Sequence, residues 1–170
     1  QTACRFRVDV IGRTDRPVNC FKGTRVVPEI SLDDPSYQPD VVLIPALFEE
    51  SVRFGRSGWS TPWRPFVHWI KGQHERGAVV GAISTGTALL AETGLLDRRQ
   101  ATTHWALLDA MAGNYRQVDF IRSVQVLSAG PGSRLFTTGG GTAWQSMVLL
   151  LVARFSGNEQ AVKLSRLFAP

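Results

Sequence analysis

The sequence predicts a single doubly wound α/β domain, and two apolar runs and one sharp strand-to-helix corner carry that reading. The runs are Val41-Val42-Leu43-Ile44 and Val79-Val80-Gly81-Ala82-Ile83, short and apolar throughout, as strands buried on both faces are. The corner is Ser84-Thr85-Gly86, after which residues 87–93 read as a helix with Gly94 as its left-handed cap. A buried strand that turns directly into a helix puts the turn residue at the carboxyl edge of a parallel sheet. There free backbone N–H groups face the ligand crevice.

Taken in order, residues 5–11 alternate Phe6, Val8 and Val10 with Arg5, Arg7 and Asp9, the pattern of a strand with one covered face. Residues 12–23 are polar and turn-rich. Arg25-Val26-Val27 is a short second strand, cut off by Pro28, and residues 31–35 form a turn. The run at 41–45 should share one parallel sheet with 79–83, which brings its carboxyl end beside Ser84. Residues 49–60 have no periodicity and read as an exposed loop. A helix capped by Ser60 or Thr61, with Pro62 in its first turn, is expected to reach Arg76. Its core stripe is Trp63, Phe66, Val67 and Ile70, continued by His74 with His68 beside it. Neither histidine has an acidic or thiol partner at metal spacing, so both read as rim or helix-end residues.

Beyond the corner, residues 101–103 form a short strand, and His104-Trp105 opens a helix carrying Leu107, Leu108 and Met111. Residues 118–120 and 124–127 are further strands. A turn at 129–133 joins the latter to a strand at 135–138. Gly139-Gly140-Gly141 closes that strand and makes a second special turn at the carboxyl edge. The helix over 142–155 buries Trp144, Met147, Val148, Leu151, Val152 and Phe155, and a last helix covers 159–168. Trp105 reads as core or interface packing.

Composition narrows the function. The chain has 170 residues, 44% hydrophobic and 19% charged, with no apolar run long enough to span a membrane. The net charge of +5 is scattered, with no run of five or six basic residues, so these residues themselves are not expected to bind DNA. Cys4 and Cys20 lack ligand spacing and read as structural thiols, and no metal or cofactor is expected. Gln1 with no leader pattern after it reads as a processed or truncated start to a cytoplasmic protein.

Gly81-Ala82-Ile83-Ser84-Thr85-Gly86, Leu89-Leu90-Ala91, Gly94-Leu95-Leu96-Asp97 and Ala101-Thr102-Thr103-His104-Trp105 together resemble the DJ-1/PfpI superfamily, also described as class I glutamine amidotransferase-like. More narrowly, they are similar to the N-terminal domain of GlxA-like regulators of the AraC type, with isonitrile hydratase as a more distant relative. Thr138-Gly139-Gly140-Gly141-Thr142-Ala143 fits the glycine turn before that branch's long C-terminal helix. The resemblance implies a three-layer flavodoxin-like α/β/α sandwich with a mostly parallel sheet, here lacking the family's first strand and helix. It also implies one domain over 1–170 that pairs into a homodimer, and a DNA-binding domain after residue 170.

The resemblance marks three departures. The family's corner cysteine is Ser84, and a hydroxyl needs a positioned base where a thiol ionises readily. The acidic residue that the family brings to the cysteine would precede Gln1. The Gly-Gly expected after the first apolar run is Ala46-Leu47, leaving backbone N–H groups but no glycine permissiveness. Two functional readings follow, beside a plain one in which the corner is vestigial, Ser84 merely fills the space of a thiol and His104 is a locally bonded residue at a helix start. In the first, Ser84, Thr85, Ala46, His104 and Gly140 bind an unknown small-molecule effector, anionic or carbonyl-bearing, and perform no chemistry. In the second, the chain is an isonitrile-hydratase-like, amidase or hydrolase enzyme with Ser84 as nucleophile and His104 as base; Glu92, Asp97 and Asp109 are available by sequence to orient the histidine.

Overall fold

A computed structural model describes residues 6–47 and 63–168 of the chain. Cys4, the loop at 49–60 and the helix start at 60–62 lie outside the described residues. The strands are β1 (Ile11–Gly12), β2 (Val18–Asn19), β3 (Arg25–Val26), β4 (Ile30–Ser31), β5 (Val41–Ile44), β6 (Val79–Ile83), β7 (Gln100–Ala101), β8 (Asp119–Phe120), β9 (Val126–Ala129) and β10 (Leu135–Thr138). The helices are α1 (Arg64–Glu75), α2 (Thr87–Glu92), α3 (Leu108–Asn114), α4 (Ala143–Ser156) and α5 (Asn158–Phe168).

The central sheet has the order β5-β6-β10-β9, the first three parallel and β9 antiparallel. This is the expected mostly parallel sheet between helical layers. Strand periodicity assigns its two faces. Val80 and Ala82 of β6 pack with Ile70, Leu90 and Met111, so α1, α2 and α3 share one core. Val79 points the other way, into a second cluster with Phe136, Met147 and Leu151 of α4. Val80, Ala82 and Leu90 are fully buried, as the continuous apolar run requires.

Several boundaries move, each for a physical reason. Residues 6–10 are not a strand, and only Ile11–Gly12 pairs, in parallel with β4. Their alternation is present, but Val8 is 82% exposed and no neighbouring strand completes a ladder among the described residues. Phe6 instead meets Phe155 edge to face, with ring centroids 6.3 Å apart. The turn-rich stretch after β1 contains β2, which pairs antiparallel with β3. β5 lies at a sheet edge, so Leu43 is 45% exposed rather than covered on both faces.

In α1 the early proline is Pro65, and the buried stripe takes in Gln73 and His74 beside Ile70, while His68 is exposed. β7 and β9 shift, one starting a residue early and the other two residues late. Thr102 and Thr103 thereby fall outside the ladder and are held by hydroxyls instead, the Thr102 N–H donating to Thr137 Oγ1 and Thr103 Oγ1 donating to the Ser84 carbonyl. Residues 105–107 form a 3-10 turn before α3 begins. Trp105 and Trp144 are not core: Trp105 is largely exposed, and Trp144 sits on the outer side of α4. The Met147 and Leu151 face of that helix is the one against the sheet.

Candidate functional site

β6 and β10 end level with one another, Ile83 opposite Thr138, so Ser84 and Gly139 leave the sheet side by side at its carboxyl edge. β5 ends nearby, Ile44 opposite Ala82, which delivers Ala46 and Leu47 to the same edge. Ser84 takes φ 55°, a left-handed conformation that a non-glycine residue adopts at a cost of about 1–2 kcal/mol. The expected sharp corner is therefore present, and its backbone is strained. Gly86 shows why the third corner residue has no side chain: a Cβ there would lie 2.4 Å from the Pro45 carbonyl oxygen.

Threonine hydroxyls hold this corner. The Leu47 N–H donates to Thr85 Oγ1 at 2.7 Å, and Thr85 Oγ1 donates to the Leu47 carbonyl at 2.6 Å. The Ser84 N–H donates to Thr138 Oγ1 at 3.4 Å, and Thr103 Oγ1 donates to the Ser84 carbonyl at 2.8 Å. Behind them, the Thr102 N–H donates to Thr137 Oγ1 at 2.9 Å and Thr87 Oγ1 donates to the Thr102 carbonyl at 3.1 Å. Ser84 is 8% exposed, and its Oγ makes no hydrogen bond among the described residues.

The geometry bears directly on catalysis. An oxyanion hole needs unengaged N–H groups aimed at the developing charge. Two of the corner amides, those of Leu47 and Ser84, are already donated to threonine. His104 caps the turn at 105–107 instead of standing free: the Ala106 N–H donates to its Nδ1 at 3.3 Å. A neutral ring that accepts at Nδ1 carries its proton on Nε2, the wrong tautomer for a base acting through Nε2. The carboxylates available by sequence are not on His104. Glu92 accepts from Tyr115 at 3.1 Å, Asp109 pairs with Arg122, and Asp97 lies by Gly94.

Gly140 is joined to His104 by shape: a Cβ on Gly140 would come within 2.5 Å of His104 Cδ2 and 3.1 Å of Nε2. The corner thus collects Ser84 and Thr85 with Leu47 and, through Thr103, the His104 segment resting on Gly140. Ala46 stands between Pro45, whose carbonyl abuts Gly86, and Leu47. Thr103 and Thr138 were not singled out by sequence. The paired Thr-Thr steps at 102–103 and 137–138 are their only visible trace.

Among the described residues nothing else gathers a comparable set of groups. Among the described residues no three His, Cys, Asp or Glu side chains are positioned to hold a metal ion. Cys20 is an exposed free thiol. His74 lies at the opposite end of the sheet, beside Ala78, where burial and then the Arg134 and Arg99 charges hold its pKa below the ordinary histidine value. No helix among the described residues is long and apolar enough to cross a membrane.

Comparison with known proteins converges on one family. The model of the DJ-1/PfpI family matches residues 3–152. The HTH-type transcriptional regulator CdhR of Pseudomonas aeruginosa is 33% identical over 163 residues, covering 96% of this chain and 45% of that protein. The glutathione-independent glyoxalase DJR-1.2 of Caenorhabditis elegans is 31% identical over 129 residues, covering 72% of this chain and 64% of the enzyme. In fold, an AraC family transcriptional regulator from Pseudomonas putida superposes with a TM-score of 0.76 at 14% identity, over 99% of this chain and 84% of that one. The chain thus spans less than half the length of the regulator CdhR.

Proposed function

The chain belongs to the DJ-1/PfpI family, and on that premise we propose that it is the non-catalytic, small-molecule-sensing domain of an AraC-type transcriptional regulator. One observation carries the reading: two of the corner amides that could stabilise an oxyanion, those of Leu47 and Ser84, are taken by Thr85 and Thr138. The Ser84 hydroxyl meanwhile keeps no partner of its own among the described residues. A corner of this kind suits binding better than bond-making. It offers the hydroxyl of Ser84, with Thr85, His104 and Gly140 alongside, to an anionic or carbonyl-bearing effector. In this reading Ala46 lines the same edge, the chain works as a cytoplasmic homodimer, and DNA is reached only through a separate domain following residue 170. The similarity to CdhR supports the regulator assignment.

The competing reading is an enzyme using Ser84, and the similarity to a glyoxalase keeps it in view. The two part on a single experiment. A fluorophosphonate, which would phosphonylate an activated serine with loss of fluoride, or an acylating probe is expected to leave Ser84 unlabelled. Covalent labelling that disappears in a folded Ser84→Ala variant would establish a nucleophile and overturn the sensing proposal. For the DNA-linked part of the reading, the reading frame beyond Pro170 decides: a helix-turn-helix domain is expected there.

A further inference from the structure

We infer that the apolar groove between β9, α4 and α5 is where the chain following Pro170 docks in the longer regulator. The inference rests on the function proposed above. The groove has a volume of about 610 Å³ and is lined by Val126, Leu149, Leu150, Ala153 and Val162. α4 is apolar on every side from Met147 to Val152, a pattern that belongs to a helix covered all round. The cover is incomplete among the described residues: Met147 and Leu151 face the sheet and α5 packs along another side of α4, yet Leu150 is 48% exposed and Val162 of α5 is 51% exposed.

The occupant follows from where the groove lies. α5 forms one wall and ends at Phe168, so any chain leaving it starts at the rim of the groove. CdhR has more than half of its length outside the region matched here, and whatever part of such a length follows α5 would set out from this rim. An amphipathic helix laid along the groove would bury Leu150 and Val162 against its own apolar stripe.

The groove is also connected to the corner. Val124 and Gln125 line it, and their carbonyls accept from Thr102 Oγ1 at 3.4 Å and from the Gly139 N–H at 2.9 Å. Thr103, the neighbour of Thr102, holds the Ser84 carbonyl, and Gly139 begins the turn that carries Gly140. A ligand that shifts Thr103 or the glycine turn therefore shifts the groove lining, and with it whatever is docked there.

Hydrogen exchange on the full-length regulator, compared with the 170-residue chain, tests the docking. Residues 124–126 and 149–153 are expected to exchange at least tenfold more slowly in the full chain. Leu150→Arg or Val162→Arg in the full chain should return them to the fast rate while β6 stays protected; the two variants guard against either one failing to fold. Equal exchange in both forms, with a second domain present, overturns the docking and leaves the sensing function standing. Protection that grows with concentration in the 170-residue chain assigns the groove to a second copy and also overturns it. A reading frame that stops at Pro170 removes the regulator proposal and this one together.

Discussion

Thr85 and Leu47 hold each other twice, the Leu47 amide donating to the threonine hydroxyl at 2.7 Å and that hydroxyl donating back to the Leu47 carbonyl at 2.6 Å. This pair ties the end of β5 to the corner and satisfies both polar groups of Leu47 at once. Its loss should be felt as stability rather than as chemistry. Thr85→Val keeps the shape and removes both bonds, and a cost of about 1–3 kcal/mol is expected. Thr85→Ser should recover most of it. Urea unfolding of the three proteins checks the order, and a neutral Thr85→Val would contradict the bonding described.

Ser84 should reveal its backbone strain when its hydroxyl is removed in two ways. Both Ser84→Gly and Ser84→Ala delete the Oγ, but only glycine relieves a φ of 55°. Glycine gains more chain entropy on unfolding, which offsets part of that relief, so Ser84→Gly should be more stable than Ser84→Ala by about 1 kcal/mol. Denaturation midpoints measured side by side give the difference directly. The reverse order would mean that the corner has relaxed out of the left-handed region.

Two glycines near the site should respond differently to an added methyl group. At Gly86 the new Cβ would meet a backbone oxygen of Pro45 at 2.4 Å, which cannot swing aside. Gly86→Ala should cost about 1–3 kcal/mol or more, because strand and corner must separate. At Gly140 the clash is with the His104 ring, a side chain that can rotate. Gly140→Ala should stay folded, displace the ring from its bond with the Ala106 amide, and shift the His104 ring resonances in NMR spectra. It should also weaken any effector that needs His104.

How much of this was legible beforehand depends on the range of the interaction. β6 falls at the bounds that its apolar run implies, and β10 at those set by the turn before it and the glycines after it, because both signals lie in consecutive residues. The corner was legible for the same reason, as an apolar run followed at once by helix formers. The threonine lattice was not. Thr138 reaches Ser84 across 54 positions and Thr85 reaches Leu47 across 38, and a hydroxyl bonded to distant backbone leaves no periodic trace. Residues 6–10 failed in the opposite way: their alternation is a local property, whereas a strand exists only with a partner. Trp144 misled because α4 is apolar all round, so its inward face could not be told from its outward one.

Buried His74 should make the stability of the domain depend on pH. The ring is 7% exposed, and its Nδ1 lies 3.3 Å from the Ala78 carbonyl, which makes Nδ1 the protonated nitrogen and the donor. Burial is the main influence on its pKa; the Arg134 and Arg99 charges add to it, and the bond to Ala78 and the Glu75 carboxylate oppose it without prevailing. The folded chain thus keeps the ring neutral at a pH where the unfolded chain protonates it. Above the ordinary value of 6.5 both states are neutral and His74 has no effect. As the pH falls from there toward the lowered folded value, only the unfolded state takes up a proton, so stability declines. Below the folded value both states are protonated and the decline from this residue stops. His74→Asn can keep a donor to Ala78 but cannot titrate, so its unfolding midpoint should change less than that of the parent chain between about pH 7 and about pH 5. Carboxylates elsewhere affect both proteins alike and cancel in the comparison, which leaves parallel pH profiles as the result that would remove His74 from this role.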